Sequence, residues 1–288
     1  MRNLTSFTHR HRTSALAAIG LVLAVLLTIA FAMVPMAGGD DWVTFRGAGL
    51  RILSGAPLYG QKVAVSYYSN PPWVAVLLLP LAVLPERWGW AALNSLNLIA
   101  LIFLARRWTR GLVKPVLVLA SPATFYILLH GQIEPLVLLA LFLPGEWWAL
   151  AALTKPQAAL GLLFGVPKSR GLRALIILAV VGALSLVFFG DWPLALLRQP
   201  SPFIEGAHNL WVGLWPFQVP VAVALILLGL RRKDERLLVA AGPFASPYAA
   251  TSSLIGPWLA VCAFLKDWEA GLVWLAWWGA TVYRLLGL

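Results

Sequence analysis

Nine apolar runs divide this chain, and they constrain its fold more than any other feature. They lie near residues 15–37, 90–105, 113–129, 133–143, 147–166, 174–190, 211–230, 237–265 and 270–286. Of the 288 residues, 60% are hydrophobic and 11% are charged, whereas about 25% are charged in an ordinary soluble domain. No stretch of mixed polarity between the runs is long enough to form a soluble domain. The sequence therefore predicts one integral-membrane domain that covers residues 1–288.

Basic residues concentrate in alternate gaps between these runs. Fifteen of the 22 lysines and arginines lie in the N-terminal segment or in every second gap, namely Arg2, Arg10, Arg12, Arg106, Arg107, Arg110, Lys114, Lys168, Arg170, Arg173, Arg231, Arg232, Lys233, Arg236 and Lys266. The positive-inside rule places the N-terminus and these gaps in the cytoplasm. Contact with anionic lipid is a second explanation for the same charges. The membrane thus accounts for the net charge of +11, and no nucleic-acid partner is predicted.

The first two apolar segments decide where the external surface begins. Residues 15–37 are long enough to cross a hydrocarbon core of about 30 Å, which favours an uncleaved anchor over a signal peptide. Residues 71–85 are short for a span and contain four prolines, which is typical of a re-entrant or interfacial helix. If that segment does not cross, residues 38–89 form one external loop, and Arg106 and Arg107 reach the cytoplasm.

Two of the later runs contain internal breaks. Lys155-Pro156 interrupts residues 147–166, which predicts two short helices that meet outside, and residues 237–265 predict a second pair of this kind. The predicted fold class is therefore all-α, a polytopic membrane bundle of about ten or eleven helices, some of them short or re-entrant. The predicted location is the cell membrane, with a cytoplasmic N-terminus and an external polar face.

Lys155 is the most unusual of the polar residues that this topology places outside. It stands between Leu153 and the apolar residues 158–164, beside a proline that breaks the helix. Ionisable groups at membrane depth are costly unless they are paired or functional. The alternative is a lysine that extends along its own stem to reach water.

Asp40 and Asp41 follow the first apolar run directly. One interpretation is structural, because an aspartate before residues 42–54 can accept backbone N–H groups at the N-terminus of that helix. Trp42, Phe45, Leu50 and Leu53 recur at a spacing that predicts the apolar face of an amphipathic surface helix. The other interpretation is chemical, because an acid at the mouth of a membrane cavity can act as a general base toward an acceptor hydroxyl.

The order of several short motifs resembles a known family. After the carboxylates come Gly-x-Pro-x-Tyr at residues 55–59, Tyr-Ser-Asn-Pro-Pro-Trp at 68–73, Leu-Pro-Leu at 79–81 and Leu-Pro at 84–85. Gly131-Gln132 and Lys155-Pro156-Gln157 then each follow a predicted helix. Over about residues 15–170, this order is similar to that of the integral-membrane glycosyltransferases of the GT-C fold, and of glycosyltransferase family 87 in particular, whose members depend on polyprenyl-phosphomannose.

The resemblance implies inverting transfer of a hexose, with mannose expected, from a polyprenyl-phosphate donor to a lipid or glycan acceptor outside the cell membrane, without a cofactor. It assigns the role of general base to Asp41, with Asp40 as the neighbour that could replace it. It also implies that Lys155 neutralises the departing phosphate. The implied substrate-binding residues are completed by His130, Gln132, Tyr68, Arg46 and His208. Glu134 departs from the pattern, because the family commonly has asparagine there.

Other functions fit some of the same features. A multi-pass transporter or lipid flippase would also contain broken helices with charged residues at mid-depth, and a non-catalytic GT-C-like membrane protein is a third possibility. Asp40 and Asp41 are adjacent at a helix start and point in different directions, so no metal site is predicted. Cys262 lies in an apolar run and is predicted to be a small buried hydrophobic residue.

Overall fold

A computed structural model describes residues 20–36, 38–199 and 208–286. This part of the chain is helical and contains no strand, only an isolated bridge between Lys62 and Tyr67. The helices are α1 (Gly20–Met33), α2 (Asp40–Ser54), α3 (Pro72–Ala82), α4 (Glu86–Trp108), α5 (Val113–Leu119), α6 (Pro122–His130), α7 (Glu134–Leu138), α8 (Trp148–Thr154), α9 (Pro156–Phe164), α10 (Gly171–Phe189), α11 (Trp192–Arg198), α12 (Val219–Arg232), α13 (Glu235–Ala241), α14 (Ile255–Phe264) and α15 (Asp267–Leu285). Short 3₁₀ helices include Lys168–Arg170 and Thr251–Leu254.

Two of the described helical segments are long and apolar enough to cross a membrane. They are α4 and the segment Lys168–Phe189, which joins a 3₁₀ turn to α10. A third is added if α5 and α6, bent by 43° at their junction, count as one span. The predicted all-helical class is thus confirmed, while the bundle of ten or eleven membrane helices stays a prediction. Of the predicted N-terminal anchor, residues 20–33 form α1, whereas residues 15–19 and 37 lie outside the described residues.

The predicted breaks within the apolar runs are present. Helix α8 ends at Thr154 and α9 begins at Pro156, so Lys155 alone separates them. A proline disfavours helical geometry in the residue before it, and Lys155 accordingly has φ −149° and ψ 86°. The run at 237–265 is likewise divided between α13 and α14. The buried free thiol of Cys262, on α14, confirms its assignment as a core residue.

The interpretation of Asp40 or Asp41 as the cap of α2 is wrong. The helix is capped by Gly39, which makes no side-chain capping bond, and Asp40 and Asp41 lie within its first turn. Of the predicted apolar face, Trp42 and Phe45 are buried within the protein, while Leu50 and Leu53 are exposed, so the amphipathic surface helix stays a prediction. Gly49 is buried, because α3 approaches so closely that a Cβ at this position would lie 2.7 Å from the Cβ of Ala82.

Helix α4 separates two polar ends of the molecule. Near its start, the indole of Trp42 donates to the Glu86 carbonyl. Near its end, Arg107 pairs with Glu235 at 2.7 Å. The 1.5 Å rise per residue puts these two points about 30 Å apart. A second ion pair, between Lys114 and Asp267 at 3.6 Å, also joins gaps that the charge pattern assigns to the cytoplasmic side.

This arrangement gives a test of membrane topology. In intact cells, a cysteine at exposed Lys62 should react with an impermeant thiol reagent, whereas cysteines at Arg110 and Lys168 should react only after permeabilisation. Buried Cys262 supplies the unreactive background. Labelling at Arg110 from outside would show that residues 71–85 cross the membrane.

Candidate active site

The candidate site forms where the start of α2 meets the end of α6. Helix α6 ends at His130 and is followed by Gly131, which has a positive φ of 72°, a conformation that glycine adopts without steric cost. A Cβ at Gly131 would lie 2.6 Å from the Cβ of Trp42. The Gly39 amide also donates to the Leu129 carbonyl at 2.8 Å. These close backbone contacts bring Gln132, the residue after the glycine, beside Asp41.

Asp41, Gln132 and Lys155 form one continuous hydrogen-bonded chain. The Gln132 side-chain amide donates to Asp41 Oδ2, and Lys155 Nζ donates to Gln132 Oε1. A carboxylate only accepts and an ammonium group only donates, so the two neighbours fix the orientation of the Gln132 amide. Three residues from separate parts of the sequence, all predicted for the site, are thereby brought together.

Glu134 completes this network, although the sequence did not assign it to the site. Its Oε1 lies 3.1 Å from Lys155 Nζ and accepts a hydrogen bond from Ser252 Oγ at 2.7 Å. The side chains of Glu134 and Lys155 are only 1% and 4% exposed. Lys155 therefore does not extend to water, which excludes the snorkelling alternative. Glu134 Oε2 is buried and has no hydrogen-bond partner among the described residues.

Two buried asparagines on helix α4 donate hydrogen bonds to the backbone that carries the network. Asn97 Nδ2 donates to the Gln132 carbonyl at 2.7 Å, and Asn94 Nδ2 donates to the Leu128 carbonyl at 2.9 Å. Leu128 lies in the last turn of α6, and Gln132 lies between α6 and α7, where helical hydrogen bonding is interrupted. Polar residues inside a helix that is long and apolar enough to cross a membrane thus fix the backbone that carries Gln132.

Burial raises the pKa of Asp41 to about 6. The positive charge of Lys155 and the hydrogen bond from Gln132 oppose this shift, while the charges of Glu134 and Asp40 add to it. Asp41 accepts no further hydrogen bond from the described residues, and it is partly exposed. A carboxylate with this pKa is deprotonated at neutral pH and still basic enough to accept a proton.

Aromatic and imidazole rings lie near the carboxylates. The Tyr126 and His130 rings are 4.1 Å apart between centroids, and the His208 ring lies 6.1 Å from that of His130. The charge of exposed Asp40 acts on His130. Tyr248 was not predicted for the site. Burial raises the pKa of its hydroxyl, and the charges of Tyr126, Asp41 and Glu134 contribute, so Tyr248 borders the same region.

Two predicted substrate-binding residues have other partners. Arg46 pairs with Glu86 at 3.6 Å and donates to the Leu84 carbonyl. Tyr68 is completely buried, and its hydroxyl donates to the Pro71 carbonyl at 3.0 Å. Arg46 lies five residues beyond Asp41 on α2, which turns its side chain away from the network. The structure thus does not bring these two residues to the Asp41 network. No group of three potential metal-ligating side chains occurs within the described ranges.

The close approach at Gly131 can be tested with a matched glycine. Gly131→Ala should destabilise the protein by about 1–2 kcal/mol through its positive φ and by about 1–3 kcal/mol more through overpacking against Trp42. Gly111→Ala is the control, because Gly111 has a φ of 74° but open space around its Cβ position. Thermal unfolding in detergent should separate the two variants. Equal losses would contradict the contact between α2 and α6.

Comparison of the chain with protein-family models, curated proteins and solved structures gives no match. The family assignment therefore stays a prediction from the sequence motifs. The geometry of the Asp41 network is the observation from which a function can be inferred.

Proposed function

We propose that this chain is an integral-membrane glycosyltransferase of the GT-C type that uses a polyprenyl-phosphate sugar donor. The transferred sugar is a hexose, with mannose expected, and the acceptor is a lipid or glycan. Transfer takes place on the extracytoplasmic face of the cell membrane. One observation carries the proposal. Asp41, Gln132 and Lys155, which the family resemblance assigns to the site, form one hydrogen-bonded chain that runs from the partly exposed Asp41 to the buried Lys155.

Asp41 is the general base in this proposal. Its carboxylate takes the proton of an acceptor hydroxyl while that oxygen forms a bond to the anomeric carbon of the sugar. The bond between that carbon and the phosphate oxygen breaks in the same displacement, so the configuration inverts and polyprenyl phosphate leaves. Gln132 occupies Asp41 Oδ2, which leaves Oδ1 for the acceptor. Positioning of this kind, together with general-base catalysis, lowers the barrier.

Lys155 is better suited to positioning than to direct phosphate binding. Its ammonium group already contacts Gln132 and Glu134 and is almost completely buried. Its side chain is only 4% exposed, so a phosphate could reach the third N–H group of the ammonium only if the packing around Lys155 opened. We assign binding of the departing phosphate to groups nearer the surface, with His130 and His208 as hydrogen-bond donors and with Arg284 close enough to act electrostatically on Tyr126.

The full architecture is part of the same proposal. A polytopic bundle with a cytoplasmic N-terminus would place the Asp41 network on the external side, and the basic end of α4 would lie in the cytoplasm. Residues 38–89 would form the external catalytic loop. Support comes from α2, which carries Asp41 into the network, and from α3, an 11-residue helix too short for a plain span.

A buried ion pair beside a carboxylate of raised pKa also suits proton-coupled transport, so transport is the second candidate. Both are tested with membranes that contain the chain, a polyprenyl-phosphate donor with labelled mannose, and a mixed lipid acceptor fraction. A glycosyltransferase should move the label to a new product and release polyprenyl phosphate. Movement of intact donor across the bilayer without a new product would instead support a flippase.

The pH dependence of transfer should report the state of Asp41. Only the deprotonated carboxylate can accept a proton, so kcat/KM should rise with pH and level off above a midpoint near the Asp41 pKa of about 6. The measurement is initial transfer rate against pH in membranes. A midpoint near 4, the ordinary value for aspartate, would contradict a buried Asp41 network.

A further inference from the structure

A basic pocket lies at the end of α4 opposite the candidate active site. It is formed by residues 106–110, where α4 ends, and by residues 232–236, between α12 and α13, and its volume is about 590 Å³. The bidentate pair of Arg107 with Glu235 joins the two segments at 2.7 and 3.0 Å. The Trp108 indole donates to the same carboxylate at 2.9 Å. The pocket is thus held together by contacts between distant parts of the sequence.

The pocket contains more cations than its own acids neutralise. Glu235 is paired with Arg107, and Asp234 is paired with Arg236 at 2.6 Å. Four more basic residues line the pocket and form no ion pair with any described residue, namely Arg106, Arg110, Arg232 and Lys233. The local charge is therefore strongly positive after the internal pairs are counted.

The backbone of Lys233 has a left-handed conformation, which is uncommon for a residue other than glycine. Lys233 ends α12 with a φ of 53°, and no other non-glycine residue in the described segments has a positive φ. Glycine is favoured at such a helix end. The chain instead has a lysine there, flanked by Arg232 and by Asp234, whose amide donates to the Gly229 carbonyl at 2.9 Å.

We propose that this pocket binds the phosphate head group of an anionic membrane lipid. The guanidinium and ammonium groups supply donors that match phosphate oxygens. Exposed apolar side chains near the pocket, including Phe103, Leu112 and Leu230, can contact acyl chains. A basic pocket at the end of a membrane-crossing helix is the setting in which anionic head groups bind. Free phosphate would make the same contacts with the cations, but it has no acyl chain to contact these apolar side chains.

The test compares two triple variants of the full chain in detergent with phosphatidic acid as the probe. Arg110→Gln/Arg232→Gln/Lys233→Gln removes three pocket cations. Lys168→Gln/Arg173→Gln/Lys266→Gln removes three exposed cations from gaps assigned to the same side of the membrane and outside the pocket. Native mass spectrometry then gives the affinity of each protein for phosphatidic acid, with phosphatidylcholine as the neutral reference. The pocket variant should bind phosphatidic acid roughly 10- to 100-fold more weakly, and the control should bind it like wild type.

Equal weakening in both variants would overturn the proposal in favour of general surface charge, and so would unchanged binding in both. A third arm titrates inorganic phosphate against the bound lipid. Little displacement at concentrations far above that of the lipid is expected, whereas stoichiometric displacement would assign the pocket to soluble phosphate instead. Thermal unfolding of both variants verifies that the affinities are those of folded protein.

Discussion

Asp41→Asn should lower sugar transfer by about 10²- to 10⁴-fold, the usual loss when a general base is removed. The asparagine keeps the shape of the side chain and can accept the Gln132 amide through its oxygen, but it cannot take a proton. Donor binding should therefore survive. The measurement is initial rate of label transfer from a polyprenyl-phosphate donor in membranes, together with donor binding by the same preparations.

Stability gives this variant a second readout of opposite sign. Burial raises the pKa of Asp41 above its unfolded value, so the folded state prefers the neutral form. The ionised carboxylate then costs stability progressively as pH rises from about 4 to about 6, and the cost stays constant at higher pH. Neutral asparagine removes that cost, and Asp41→Asn should unfold at the same or a higher temperature than wild type at pH 7 to 8.

Asp40→Asn is the matched control for the catalytic prediction. Asp40 is exposed in the first turn of α2, where a negative charge interacts with the helix dipole by roughly 0.3–1 kcal/mol. Its replacement should change stability slightly and transfer little. Transfer by Asp41→Asn at the wild-type rate would remove the catalytic assignment, and a loss confined to Asp40→Asn would move the base to the neighbouring residue.

Lys155→Met should destabilise the protein by about 3–5 kcal/mol, because it leaves the carboxylate of Glu134 buried without its ion partner. Glu134→Gln should be costly for the reciprocal reason. The double variant Lys155→Met/Glu134→Gln removes both charges and should lose much less than the sum of the two single losses. Unfolding in detergent at pH 7.5 or similar conditions compares the four proteins. Additive losses would mean that the two side chains do not interact.

The same variants should shift the pH profile of transfer in opposite directions. The charge of Lys155 lowers the pKa of Asp41, and the charge of Glu134 raises it. Lys155→Met should therefore move the midpoint of kcat/KM above about 6, and Glu134→Gln should move it below. A residue that only supports the fold would leave this midpoint unchanged. Identical midpoints in all four proteins would show that the charges of Lys155 and Glu134 do not influence the protonation of Asp41 during transfer.

Much of the local structure follows from short-range chemistry and was predictable. Pro156 ends α8 because its ring disfavours a helical conformation at Lys155. Gly55 ends α2 in a left-handed conformation with a φ of 67°, as a glycine after a helix commonly does. These effects depend on a residue and its immediate neighbours, so the sequence alone identifies them.

The buried face of α2 was not predictable in the same way. In water, apolar periodicity marks the face that packs inside, but lipid is itself apolar and receives leucine as readily as a protein core does. Leu50 and Leu53 are exposed, while Ala48 and Gly49 are buried. Small residues allow helices to approach closely in membranes. The buried face of such a helix can therefore be marked by small residues and not by the most hydrophobic ones.

By itself, the sequence determined the helical class, the grouping of basic residues in alternate gaps and the helix break at Lys155. Each depends on composition or on neighbouring residues. Only the tertiary structure decided that Lys155 pairs with Glu134, that Ser252 joins them, and that Gln132 links the pair to Asp41. These partners come from separate parts of the sequence. The ionic partner that offsets the free-energy cost of burying Lys155 is therefore not visible in any local sequence pattern.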